Sequence, residues 1–91
     1  MVVTVYLLIV YDVGVERVNR VKSYLRTELH WVQNSVFEGE VTESQFRRIE
    51  TNLERIIDRE RDSVIIYSFR SERAMNRNVL GLEKSPLDVI L

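Results

Sequence analysis

Hydrophobic positions divide the chain into alternating strand-like and helix-like blocks. Residues 2–11 are a continuous β-rich run, the pattern of a strand covered on both faces. Asp12, Val13 and Gly14 break it. Beyond the break Val18, Val21 and Leu25 recur at helical spacing, with Arg17, Arg20 and Arg26 expected to face outward. Residues 31–41 return to strand chemistry, with Val32 and Val36 on one side and Trp31, Ser35 and Phe37 on the other. This stretch fits one bent strand or a tight hairpin, and Gly39 is placed to mark a bulge. Thr42 and Gln45 spell a capping box, and Val41 before the cap can staple to Phe46. Phe46, Ile49, Leu53, Ile56 and Ile57 then trace an apolar stripe. Opposite it, Arg47, Glu50, Glu54, Arg55, Asp58 and Arg59 form a charged face that patterning reads as solvated. Ser63–Phe69 is another strand. A polar joint at 70–77 leads to an expected short strand at 78–82, then Pro86 and an apolar end at 88–91.

The order strand, helix, strand or hairpin, helix, strand predicts an α+β fold, a ferredoxin-like βαββαβ sandwich with an extra C-terminal strand. Two helices cover one face of such a sheet. Yet Val64, Ile66 and Ser68 alternate with Ile65, Tyr67 and Phe69, so neither face of that strand is polar. The uncovered face is therefore expected to meet a second copy of the chain, sheet against sheet, as a homodimer. The whole chain, 1–91, reads as one domain, with residues 78–91 as a tail that contacts the partner subunit.

Composition narrows the chemistry. The chain has 91 residues, 45% hydrophobic and 30% charged, which suits one small globular domain. It has no cysteine and one histidine, His30, which excludes disulfides, Cys-built metal sites and His clusters. Residues 2–11 lack the basic flank and cleavage site of a signal peptide and are too short to span a bilayer. A cytoplasmic location with no membrane contact is expected. The net charge of −1 advertises no global attraction to nucleic acid. Lys22 and Lys84 are the only lysines, however, and the other cations are arginines, suited to forked recognition of phosphate. Heat adaptation or genome composition produces the same bias.

Asp12 ends a buried strand, where the backbone fixes a carboxylate at the edge of the sheet. The position suits an Asx turn or a helix cap. It also suits Mg²⁺, provided a two-fold axis brings two copies of Asp12 together, since the ion takes one or two protein carboxylates and fills its shell with water and phosphate. Tyr11 and Ser35 have hydroxyls near the same edge, and Phe37 has a ring able to stack on a base. Each of the three is equally an ordinary strand residue. Arg17 and Arg20 are candidate phosphate contacts or simply solvated surface.

Three motifs, taken in order, carry a family resemblance. They are Val-Tyr-Asp-Val at 10–13 followed by Arg17 and Arg20, Trp-Val-Gln-Asn-Ser-Val-Phe-Glu-Gly-Glu at 31–40, and Asp-Ser-Val-Ile-Ile-Tyr at 62–67. Over essentially its whole length the chain resembles the second core family of CRISPR-associated proteins, the small "Cas two" endonucleases. The resemblance implies a ferredoxin-like homodimer acting in spacer acquisition. It implies a Mg²⁺-dependent endonuclease, with Mn²⁺ as a possible replacement, acting on single-stranded RNA or duplex DNA. It also implies a place between dimers of the "Cas one" integrase. Asp12 matches the family's metal-binding aspartate, Tyr11, Ser35 and Phe37 fall on motif positions lining the same cleft, and Arg17 and Arg20 carry over as nucleic-acid contacts. A second reading keeps the dimer and the arginines but makes the protein a non-catalytic DNA-binding scaffold. An RNA-recognition module on a similar fold is disfavoured because its aromatic strand signature is absent.

Overall fold

The computed structural model describes residues 3–82 and 84. Strand β1 (Thr4–Asp12) runs through the middle of a four-stranded antiparallel sheet. It is flanked by β3 (Val36–Thr42) and β4 (Ser63–Phe69), and β2 (His30–Gln33) lies outside β3, giving the order β2-β3-β1-β4. Helices α1 (Val15–Glu28) and α2 (Glu43–Ile56) follow β1 and β3. This is the ferredoxin-like arrangement expected from the element order.

Strand alternation assigns the faces. Leu7, Ile9 and Tyr11 point towards the helices, and cross-strand partners share that side: Ile9 stands opposite Phe37 on β3 and Ile66 on β4. They form one core with Val21 and Leu25 of α1 and Ile49 and Leu53 of α2. Tyr6, Leu8, Val10 and Asp12 point to the other, helix-free face.

The stretch at 31–41 is a hairpin rather than one bent strand. Asn34 and Ser35 make its turn, and Asn34 takes φ 40°, a left-handed conformation that asparagine tolerates. The bulge falls between Trp31 and Gln33, not at Gly39. Gly39 keeps regular register opposite Leu7. Its lack of a side chain serves a close approach instead, since a Cβ there would sit 3.1 Å from Leu29 Cδ2.

The capping box forms as expected. The Gln45 N–H donates to the Thr42 hydroxyl at 3.1 Å, and the Thr42 N–H donates to the Gln45 side-chain oxygen at 2.9 Å. Thr42→Ala is expected to destabilise the protein by about 1 kcal/mol, read as a lower denaturant midpoint at unchanged slope. Further along the helices, Arg48 forks onto Glu28 at 2.8 and 2.9 Å, tying α2 to the end of α1. Tyr24 donates to the same carboxylate at 3.0 Å and accepts from Asn52 at 3.0 Å.

On the helix-free face Ile65 and Tyr67 are 48% and 49% exposed. The chain after β4 passes through a 3-10 turn (Glu72–Ala74) and then crosses this face. There Met75, Val79 and Leu80 border a cleft of about 360 Å³ shared with Leu8, Val32 and Glu38. Glu38 is buried on this side, accepting a hydrogen bond from Tyr6 and pairing with Arg77. The strand expected at 78–82 is not formed. This segment lies over the sheet rather than alongside an edge and has no ladder partner among the described residues, and Leu80 and Leu82 are 96% and 85% exposed. The expectations for Pro86 and the apolar end at 88–91 lie outside the described residues. Among the described residues no helix is long and apolar enough to cross a membrane.

Candidate active site

Asp12 is the last residue of β1, opposite Ser63 of β4, and it is exposed. It caps nothing: the N-cap of α1 is Gly14, and no side chain of the cap residue closes that helix. The Asp12 carboxylate makes no hydrogen bond or ion pair with the described residues. A carboxylate at a strand end with no structural partner is free to bind something else. Among the described residues no group of three or more His, Asp or Glu converges on one point. A lone strand-end carboxylate of this kind fits Mg²⁺, which takes one or two protein carboxylates and fills its shell with water and phosphate.

Tyr11, Ser35 and Phe37 do come together. The Tyr11 N–H donates to the Ser35 carbonyl at 3.1 Å, and the Tyr11 and Phe37 rings stack with centroids 6.2 Å apart. The two rings lie on the helix side of the sheet, though, opposite to Asp12. Phe37 is completely buried and Tyr11 is 3% exposed, so within the chain neither ring has a face to offer a base. The Tyr11 hydroxyl is buried without a well-formed hydrogen bond. Burial raises its pKa, against smaller opposing effects of the Arg26 charge and the Ser35 side chain. The two rings belong to the core on the side of the sheet opposite Asp12.

The two arginines part company. Arg20 is exposed and makes no ion pair with the described residues, which leaves its guanidinium available for phosphate. Arg17 turns inward instead of outward. Its Nε and Nη2 donate to the two oxygens of Asp62 at 2.6 and 2.9 Å, so the fork is spent on an internal carboxylate.

Asp62, quoted in the 62–67 motif but given no role by sequence reading, is the partner that holds Arg17. Its side chain is fully buried and also accepts the backbone N–H groups of Gly14 at 3.0 Å and Asp58 at 2.8 Å. The Arg17 fork is the main cause holding the Asp62 carboxyl well below the usual carboxylate range, with the two backbone donors adding to it and burial opposing. A carboxyl depressed in this way binds its proton more tightly in the unfolded chain. Its contribution to stability is complete above about pH 4 and is lost as the pH falls further. Asp62→Asn is expected to flatten the acid limb of a Tm–pH profile below about pH 4. The slope that remains belongs to other carboxyls such as Glu28, lowered chiefly by its hydrogen bonds from Arg48. An acid limb identical to wild type would rule out the Asp62 contribution.

Residues 5–77 match the sequence model of the CRISPR associated protein Cas2 family. The chain belongs to the Cas2 family. A CRISPR-associated endoribonuclease Cas2 of Pyrococcus furiosus is 58% identical over 86 residues, covering 94% of this chain and 99% of the relative. One of the same description from Methanocaldococcus jannaschii is 57% identical over 88 residues, covering 97% of this chain and 77% of the relative. A solved structure described as the crystal structure of Cas2 superposes with a TM-score of 0.83 at 48% identity, covering 91% of this chain and 93% of the other. Of the residues that the Cas2 resemblance grouped into one cleft, Tyr11 and Phe37 lie on the helix side of the sheet and Asp12 on the open side. Two tertiary partners left only faint marks in the sequence. Asp62 stands immediately before a strand, and Glu38 lies within one, two residues before Glu40.

Proposed function

We propose that the protein is a metal-dependent endonuclease of CRISPR spacer acquisition, working as a face-to-face homodimer. The observation that carries this reading is the exposed, unpartnered Asp12 carboxylate on the helix-free face. Joining two sheets on that face covers Ile65 and Tyr67 and turns both Asp12 side chains towards the same interface. The two carboxylates would hold Mg²⁺, or Mn²⁺ in its place. When bound, the metal would acidify a water and neutralise charge on the scissile phosphodiester. Arg20, one to two helical turns behind Asp12, binds the phosphate backbone. The endoribonuclease name borne by the relatives favours RNA as the substrate, with duplex DNA the second choice.

One observation favours a different reading, a DNA-binding scaffold bridging the "Cas one" integrase. Of the side chains expected to act in cleavage, Asp12 is the one that is both exposed and free of partners, a sparse set for phosphodiester hydrolysis. Cleavage of labelled RNA and duplex DNA by wild type and Asp12→Ala, in Mg²⁺ and in EDTA, separates the two. Light scattering of both proteins accompanies the assay. Cutting that disappears with the aspartate and with the metal supports the nuclease. Dimers that bind DNA but do not cut leave the scaffold, and equal cutting without Asp12 overturns the paired-aspartate site.

A further inference from the structure

Asp12 poses a problem of positioning. Its carboxylate has no hydrogen-bond partner of its own, so its place in space has to come from the backbone on either side. On the N-terminal side β1 is paired with β3 as far as Val10 and with β4 as far as the rung between Asp12 and Ser63. On the C-terminal side the chain leaves the sheet at once, and Gly14, two residues later, already starts α1.

That exit is held by Asp62. Its Oδ1 accepts from the Gly14 N–H at 3.0 Å and from Arg17 Nη2 at 2.9 Å. Its Oδ2 accepts from Arg17 Nε at 2.6 Å and from the Asp58 N–H at 2.8 Å. One buried carboxylate thus joins the turn after Asp12, the first turn of α1 and the loop before β4. It also places negative charge at an α1 N-terminus that has no side-chain cap. Gly14 belongs to the same arrangement, because a Cβ there would lie 2.7 Å from Arg17 Nη2 and push the fork aside. Asp62 is followed directly by Ser63, the residue facing Asp12 across the ladder. The clamp therefore grips both strands at the rung that carries the free carboxylate.

We propose that Asp62 and Arg17 are positioning residues for Asp12, taking Asp12 as the metal-holding carboxylate proposed above. They touch neither substrate nor metal. They fix where the strand ends, and so how closely and at what angle two Asp12 carboxylates meet. Misplacing a catalytic group by about 1 Å costs on the order of 10²-fold in rate.

The test compares full-length wild type, Asp12→Asn, Asp62→Asn, Arg17→Lys and Arg48→Lys at a temperature well below every Tm. Arg17→Lys keeps the charge and loses the fork, and it stands in if Asp62→Asn does not fold. Arg48→Lys breaks a fork of similar geometry at the far end of α1 and controls for stability alone. Two readouts are taken: kcat and KM for RNA cleavage, and Mn²⁺ binding by calorimetry. Asp62→Asn and Arg17→Lys are expected to lower kcat by roughly 10- to 100-fold, with KM within about twofold of wild type, and to weaken Mn²⁺ binding. Arg48→Lys is expected to lower Tm and change neither readout.

Wild-type kcat and Mn²⁺ affinity in the clamp variants, beside an inactive Asp12→Asn, overturn the positioning role and leave the Asp12 reading standing. So does an equal loss of kcat in Arg48→Lys. A raised KM in Arg17→Lys with normal kinetics in Asp62→Asn overturns it in favour of a phosphate contact. Wild-type cleavage and Mn²⁺ binding in Asp12→Asn, or a wild type that neither binds Mn²⁺ nor cuts, overturn both readings.

Discussion

Asp12→Asn is expected to slow RNA cleavage by roughly 10²- to 10³-fold or more, the scale on which one preorganised electrostatic contact acts. Its Tm should stay within about 4 °C of wild type, because changes at exposed, unpartnered positions cost about 0.5 kcal/mol or less. The contrast follows from the structure. The Asp12 side chain is exposed, caps nothing and makes no hydrogen bond or ion pair with the described residues, so its amide replacement removes no polar contact from the fold. It does remove the carboxylate proposed to hold the metal. Single-turnover cleavage measured across a Mg²⁺ titration checks the rate, and calorimetry checks Tm. A variant that cuts at the wild-type rate at every Mg²⁺ concentration would exclude Asp12 from the chemistry. A variant that unfolds early would show that the carboxylate has a structural role absent from this geometry.

Phe37→Ala is expected to act in the opposite way, on stability first. The ring is completely buried between the sheet and the helices and stacks on Tyr11. Removing it leaves a cavity in a core that closes only partly, at a cost of about 3–5 kcal/mol. In a domain of this size that lowers Tm by roughly 15–30 °C, enough to unfold much of a mesophilic protein. Phe37→Leu, which preserves most of the volume, should cost under about 1.5 kcal/mol and retain nucleic-acid binding. Denaturant melts of both variants check the stability, and RNA binding by Phe37→Leu checks the role. If Phe37→Ala keeps its stability and loses RNA affinity instead, the ring works as a stacking platform and the packing argument fails.

The two expectations share an origin in strand alternation. Tyr11 and Asp12 are neighbours, so they must face opposite sides of the sheet, and that much is readable from any strand. Local pattern determined a good deal more. The apolar run at 2–11, the helical spacing of Val18, Val21 and Leu25, and the Thr42–Gln45 box each depend on residues within one or two turns of one another. Their order specified the ferredoxin-like fold, and the 31–40 motif pointed to the family. What only the tertiary structure decided involves partners far apart in the chain. Arg17 has the outward spacing of a surface cation, yet Asp62, 45 residues later, supplies a buried carboxylate to meet it. Glu38 has the alternation of the exposed Glu40, yet it is buried where Tyr6 and Arg77 close around it. Phe37 shares a motif with residues near the site, but the packing of both helices onto one side of the sheet puts its ring in the core. Local periodicity records which way each side chain points. Whether that direction leads to water, to a counter-charge or to the core depends on which distant segment has folded onto it.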